Sequence, residues 1–424
     1  MLIEFYGQNF GCFRDEFRLS MMATDIDPDS DRGIMEVKVE GDDEPLRLVR
    51  TAAIYGPNAS GKSTVLRAAR ALRYNLTPDL RSDSPLRFYE PFAQGGKTEP
   101  VRLGLKAVIE GRVYDYEIQF DKTKFTSERL LLLKSDGPIP LLKRLGQNVE
   151  GEWAKDARFA LISKDFRPNA SLLSLADRLA PDLAGNIAAD LRKLLHFFDS
   201  SRAPWDFNLV FSPTRRIRED VNFRGWLLSQ LKSADFGVVD MRTEEVKVTV
   251  QVAEEASTPT SPAEEPEEPE TFYRLALLHS GSSGEFAIPF HRESQGTLRL
   301  LELAPMLYDL THGLSIKAAF VDEIHESLHP KLLQGLIRHF NCDTPLAEAR
   351  GQLIFATHET SLLDAEAKNA VLRRDQIYFT EKDSSGAARL YSLAEFKERN
   401  NLNIRRRYLL GRYGAVPSLG SFTE

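Results

Sequence analysis

"GPNASGKST", residues 56–64, decides the fold. It satisfies G-x-x-x-x-G-K-[ST] in full, in the setting that gives the pattern physical meaning. Before it, "LRLVRTAAIYG" reads as a buried strand entering a glycine loop. After it, "STVLRAARALRYNL" places Val65, Leu66, Ala69 and Leu72 on one helical stripe. Gly56, Pro57, Asn58, Ala59, Ser60 and Gly61 form the expected cradle, with Lys62, Ser63 and Thr64 opening the helix. The two glycines let the backbone curl until successive N–H groups face phosphate, and the helix N-terminus adds positive potential. Lys62 is placed to reach β- and γ-phosphates, and the Ser63 hydroxyl to meet Mg²⁺.

Such a loop needs an acidic partner at the end of a neighbouring strand. "SIKAAFVDE", ending at Glu323, supplies it. The apolar run Ala318 to Val321 reads as a central strand with Asp322 emerging at its carboxyl end, where α/β folds bind ligands. Asp322 is the expected Mg²⁺ ligand, and Glu323 the expected general base toward water. The same region also spells His325-Glu326-Ser327-Leu328-His329, the H-E-x-x-H of helical zinc sites. That pattern needs both histidines on one helical face. The residues before it read as strand, and Pro330 directly follows His329, which disfavours a helix there.

Composition sets broad limits. No stretch approaches about 18 consecutive apolar residues, so no transmembrane helix is expected. The opening "MLIEFYGQNFGCFRDEF" lacks a signal core, and two cysteines, Cys12 and Cys342, make no disulfide framework. A reducing cytoplasm is the expected setting. The net charge is −7, but residues 254–271, "EEASTPTSPAEEPEEPET", hold seven Glu and no Lys or Arg. The remainder is balanced, which leaves a local basic surface for nucleic acid open.

The expected class is α/β, with a mixed β-sheet core, an antiparallel β subdomain and an inserted helical plus β-hairpin subdomain. Residues 1–150 hold the phosphate loop and a β-meander over 101–133, turning at Glu110-Gly111. Residues 151–235 read as a helical insertion, with "AADLRKLLHFF" among its amphipathic stretches. Residues 236–283 read as a hairpin tipped by the acidic segment 254–271, either a solvated loop or a partner-binding or DNA-mimicking tip. Residues 284–424 resume strand–helix alternation. Two further features stand in that last part. Ser294-Gln295-Gly296 precedes a helix, 28 residues before Asp322, and His358 follows the apolar strand "LIFAT". Each is weak alone; their order and context together are more specific.

With these motifs in place, the chain resembles the ABC-type ATPases, and among them the SMC/RecF-like and OLD-like heads. The resemblance implies ATP and Mg²⁺. It makes Ser294, Gln295 and Gly296 a signature that contacts nucleotide bound to a second subunit, and His358 a switch histidine facing the γ-phosphate. Asn9 and Phe10 match a first-strand motif near the adenine. No residue takes the place of the Q-loop, Gln94 being poorly placed. "GPNASGKST", "ESQGT", "VDEIHESLHP", "FATHETSLLD", "RDQIYFTEKD" and "RRRYLLGRYGAVPSLG" are similar to the RloA/AbiL-type phage-defence ATPases, relatives of AriA of PARIS.

That narrower resemblance implies a homo-oligomer, at least a dimer through its ATP sites. It also implies an effector nuclease, Toprim-like or RloB-like, on a separate polypeptide, since the sequence ends soon after Tyr413-Gly414. Nucleic acid or a phage protein is the expected trigger, and no membrane is involved. The competing readings are a RecF/SMC-like DNA-repair ATPase and a zinc peptidase. The Arg405, Arg406, Arg407 and Arg412 cluster, interleaved with Tyr408 and Tyr413, fits either a phosphate-binding interface or a buried clamp.

Overall fold

The computed structural model describes residues 1–26, 31–77, 86–163, 166–198, 213–234, 236–248, 270–341, 351–364, 370–396 and 403–417. The chain divides into two compact units. The first comprises Met1–Arg202, Asp309–Glu326 and Pro330–Glu424; the second comprises Ala203–Tyr308 and Ser327–His329. The segment expected as one helical insertion, 151–235, is thus shared between them.

The first unit is built on two large sheets. One has six strands, in the order His196–Phe198, Ala318–Val321, Gln352–Ala356, Thr51–Tyr55, Ile377–Lys382, Ala388–Ser392. All pairings are parallel except the last. Its inner strands, "AAFV", "QLIFA" and "TAAIY", are buried at every position. Continuous apolar runs of this kind are what a parallel sheet covered on both faces demands. Helix Lys62–Asn75 contributes Val65, Leu66, Ala68, Ala69 and Leu72 to the same core.

The other sheet has seven strands and is antiparallel throughout. Leu2–Gln8 pairs with Phe17–Ser20 on one side and with Val101–Ile109 on the other; Arg112–Phe120, Phe125–Lys134, Gly137–Leu145 and Asn148–Glu150 complete the meander. The expected turn is present: Glu110 (φ 48°) and Gly111 (φ 76°) join Ile109 and Arg112, and two positive φ values suit a two-residue hairpin. The buried Gln352 side chain ties the two sheets. Its Oε1 accepts from Leu2 N (2.7 Å), and its Nε2 donates to Leu2 O (2.9 Å).

Two expectations need correction. "LRLVRTAAIYG" is not one strand: Leu46–Val49 pairs with Ile34–Val37 in a separate two-stranded sheet, and Thr51–Tyr55 joins the parallel sheet. Buried Arg50 marks the break, its Nε donating to Ile34 O (3.2 Å). Likewise "AADLRKLLHFF" is not wholly helical. The helix Ile187–Lys193 ends, and His196–Phe198 becomes the edge strand beside Ala318–Val321. Adjacent aromatic residues favour strand once a sheet edge is available to pair with.

The second unit packs helices Pro213–Glu219 and Val221–Ser233 and the front of Gln295–His312 against a three-stranded antiparallel sheet. Val238–Val248 and Glu270–Gly281 form the expected hairpin, extended by Gly284–Pro289. Residues 254–269 of the acidic segment lie outside the described residues. Among the described residues, no helix is long and apolar enough to cross a membrane.

One buried polar knot anchors the meander to the helices that follow it. The Glu128 carboxylate accepts from Tyr116 OH (2.9 Å), Ser171 Oγ (2.8 Å), Leu172 N (2.8 Å) and Leu173 N (3.0 Å). Arg144 Nη1 lies 3.7 Å from it, and both side chains are fully buried. Glu128→Ala would take the carboxylate from four donors and the counter-charge from a buried guanidinium, which keeps only its bonds to the carbonyls of Gly146, Pro168 and Ala170. The expected loss is about 3–5 kcal/mol, the usual scale for breaking one side of a buried pair, read as a lower urea midpoint than wild type.

Candidate functional site

The parallel sheet gathers the chemistry at its carboxyl edge. Thr51–Tyr55 delivers the phosphate loop, Ala318–Val321 delivers Asp322 and Glu323, and Gln352–Ala356 delivers Thr357 and His358. The strand bearing Asp322 was expected beside the phosphate-loop strand. Instead the strand leading to His358 lies between them. This order sets the histidine between lysine and acid.

The loop itself is conformationally demanding. Gly61 has φ 117°, and a Cβ there would stand 2.9 Å from Cys12 Sγ. At Gly56 a Cβ would come within 2.4 Å of Thr380 Oγ1. Ala59 also sits in the left-handed region, at φ 60°. The buried Lys62 ammonium donates to Gly56 O (2.9 Å) and Pro57 O (3.0 Å). Burial lowers its pKa, opposed by the charges of Glu323 and Asp322. A cradle that admits no side chain at two positions, with an ammonium held behind it, fits a polyphosphate.

Asp322 and Glu323 divide the work. Burial raises the pKa of Asp322; hydrogen bonds from the Ser63 hydroxyl and the Glu323 amide oppose this, as does Lys62. A serine hydroxyl beside a carboxylate is the hard-oxygen donor set that Mg²⁺ uses. Glu323 leaves the strand with φ 46°. Its Oε1 lies 3.5 Å from His358 Nε2, and its Oε2 lies 3.4 Å from His325 Nε2. Burial, then the Lys62 ammonium, holds His358 below the usual imidazole pKa, so the ring is neutral near pH 7.

A family model described as "AAA domain, putative AbiEii toxin, Type IV TA system" matches residues 52–364. The chain belongs to this family. No curated protein sequence matches it. Among solved structures it is similar to the SMC head domain from Thermotoga maritima, at 14% identity over 92% of this chain and 98% of that one, with a TM-score of 0.40. It is also similar to an Smc head domain with an extended coiled coil bound to the C-terminal domain of ScpA, derived from Pyrococcus furiosus. There the identity is 10% over 97% and 98% of the chains, with a TM-score of 0.42.

Within this AAA-domain chain, the first unit brings together Lys62, Ser63, Asp322, Glu323 and His358. Ser294, Gln295 and Gly296 lie in the second unit. There the Ser294 hydroxyl caps its helix, accepting from Thr297 N (3.1 Å), and a Cβ on Gly296 would stand 3.0 Å from Ser327 O. Asn9 and Phe10 are parts of the frame. Asn9 Nδ2 donates to Gly96 O (2.8 Å) and Glu99 O (2.9 Å), its Oδ1 accepts from Phe92 N (3.0 Å), and Phe10 is fully buried. The H-E-x-x-H letters fall in turns: residues 322–327 are non-helical, and the helix starts at Pro330. Among the described residues, no group of three or more His, Cys, Asp or Glu is arranged to hold a metal ion.

The tail acts as a clamp. Tyr408 and Tyr413 stack on Phe379 at 5.5 and 5.6 Å, and Arg405 Nε donates to Thr360 Oγ1 (3.1 Å) in the segment just after His358. Sequence reasoning did not find Thr380. Its hydroxyl lies 2.6 Å from Ser60 Oγ, locking the phosphate loop to the next strand. No local motif marks it, since it is one polar residue midway along "IYFTEK". Thr380→Val should weaken nucleotide binding by about 2- to 10-fold, the scale of one net hydrogen bond, with Thr380→Ser close to wild type. Titration with a fluorescent ATP analogue measures this.

Proposed function

We propose that this chain is a Mg²⁺-dependent ABC-type ATPase subunit of a bacterial anti-phage system, and that it controls a separate effector nuclease. The observation that carries the ATPase reading is the Glu323 carboxylate. It is held at the strand ends between two imidazoles, with Lys62 and the Ser63–Asp322 pair in the same cluster. The defence role draws support from the family, whose description names a toxin of a Type IV system. The RloA/AbiL-like motifs at both ends of the chain add to it. The signature Ser294-Gln295-Gly296 would serve the nucleotide of a second copy, making the active species at least a dimer.

In this mechanism the loop amides and Lys62 grip the β- and γ-phosphates. Ser63 and Asp322 would hold Mg²⁺, which would supply charge neutralisation at the phosphates. Glu323, whose carboxylate oxygens face His325 and His358, accepts the proton of the attacking water. Neutral His358 offers an N–H toward the transferring phosphoryl group or toward Glu323. It thus senses whether the γ-phosphate is in place.

Glu323→Gln should retain ATP and lower single-turnover hydrolysis by about 10²-fold or more. Lys62→Ala should weaken ATP binding itself, and EDTA should abolish turnover. Unchanged turnover in Glu323→Gln would remove it from the base role. For the defence role, co-expression with the adjacent gene should yield a stable complex and reduce phage plating, both lost with Lys62→Ala. DNA-stimulated, salt-sensitive hydrolysis without any such complex would favour a RecF-like repair ATPase instead.

A further inference from the structure

We propose that His325 is a positioning residue of the hydrolytic centre: a second imidazole that aims the Glu323 carboxylate through a relay from Thr357. This rests on the ATPase reading and extends it to a residue that the acidic motif does not include.

The geometry is specific. His325 lies in the turn after Glu323, its Nε2 3.4 Å from Glu323 Oε2. Its other ring nitrogen, Nδ1, lies 3.0 Å from Thr357 Oγ1. Thr357 is fully buried at the end of the adjacent strand, and its Oγ1 already accepts from Glu359 N (3.0 Å). The hydroxyl proton of a buried threonine needs an acceptor, and Nδ1 is placed to be one. Donation from Thr357 to Nδ1 fixes the neutral tautomer with its proton on Nε2, directed at Glu323. His358 approaches the other carboxylate oxygen, and the two rings stand nearly perpendicular, 6.0 Å apart and inclined at 79°. Each oxygen of the base therefore faces its own imidazole.

The arrangement answers a local problem. Glu323 has left-handed backbone (φ 46°), so the strand does not set the direction of its side chain as it would for an extended residue. Thr357 is well placed to supply a reference point. Its backbone N–H donates to Ile54 O (3.1 Å), next to the phosphate loop, and Ile324 N donates to Ala356 O (3.3 Å). The path Ile54–Thr357–His325–Glu323 references the base to the strand that carries the phosphate loop. His358 would respond to nucleotide; His325, anchored from behind, would not move with it.

The test uses single-turnover ATP hydrolysis by the full chain. His325→Ala should lower the rate at saturating ATP by about 10- to 100-fold, the scale of a misaimed catalytic group, with ATP affinity within twofold of wild type. His325→Gln keeps an N–H donor and should recover part of the loss. Because His325 acts through Glu323, adding His325→Ala to Glu323→Gln should cause little further loss. An unchanged rate in His325→Ala, no difference between the Ala and Gln variants, or equal losses in both Glu323 backgrounds would overturn the proposal while leaving the ATPase reading in place. Absence of hydrolysis by the wild-type chain, or full activity of Glu323→Gln, would overturn both.

Discussion

The buried ammonium of Lys62 is the charge around which the site is arranged. Burying an ammonium is costly unless hydrogen bonds and opposite charge compensate. Here two loop carbonyls accept from it, and two carboxylates at the end of another strand raise its pKa against the effect of burial. Those carboxylates can help only if the strand ends lie together, which the parallel pairing of Thr51–Tyr55, Gln352–Ala356 and Ala318–Val321 ensures. Sheet order, the burial of three apolar strands and the chemistry of the loop are thus one constraint seen at three scales.

The same logic explains why the frame around the loop is densely packed. Gly11 and Gly61 pack against Thr64 and Cys12, and Thr380 locks Ser60. The tail aromatics press on Phe379, whose strand pairs with the phosphate-loop strand. A loop that must present N–H groups in left-handed conformations holds that shape only when its surroundings over-determine it. Here they do so from three directions.

What was legible in the sequence is what is local. The phosphate loop, the strand before Asp322, the hairpin turn at Glu110-Gly111 and the helix after Pro330 each carry their cause within about ten residues of chain. What was not legible depends on distant partners. His196–Phe198 is a strand because Ala318–Val321 offers an edge, more than a hundred residues on. Asn9 matches a nucleotide-binding pattern, yet its amide is consumed by the backbone of Phe92, Gly96 and Glu99. The order of strands, which puts His358's strand between lysine and acid, has no signature in spacing at all.

The histidines of "VDEIHESLHP" show how backbone conformation decides chemistry. On a helix, His325 and His329 would share one face and Glu326 would stand beside a metal. Here Glu323 and Ser327 both have left-handed φ, and the chain turns through residues 322–327 instead of spiralling. That turn brings His325 back toward the carboxylate two residues before it. A residue type suited to metal ligation stands 3.4 Å from a carboxylate instead. The zinc motif and the acidic motif use nearly the same letters, and two left-handed residues separate one from the other.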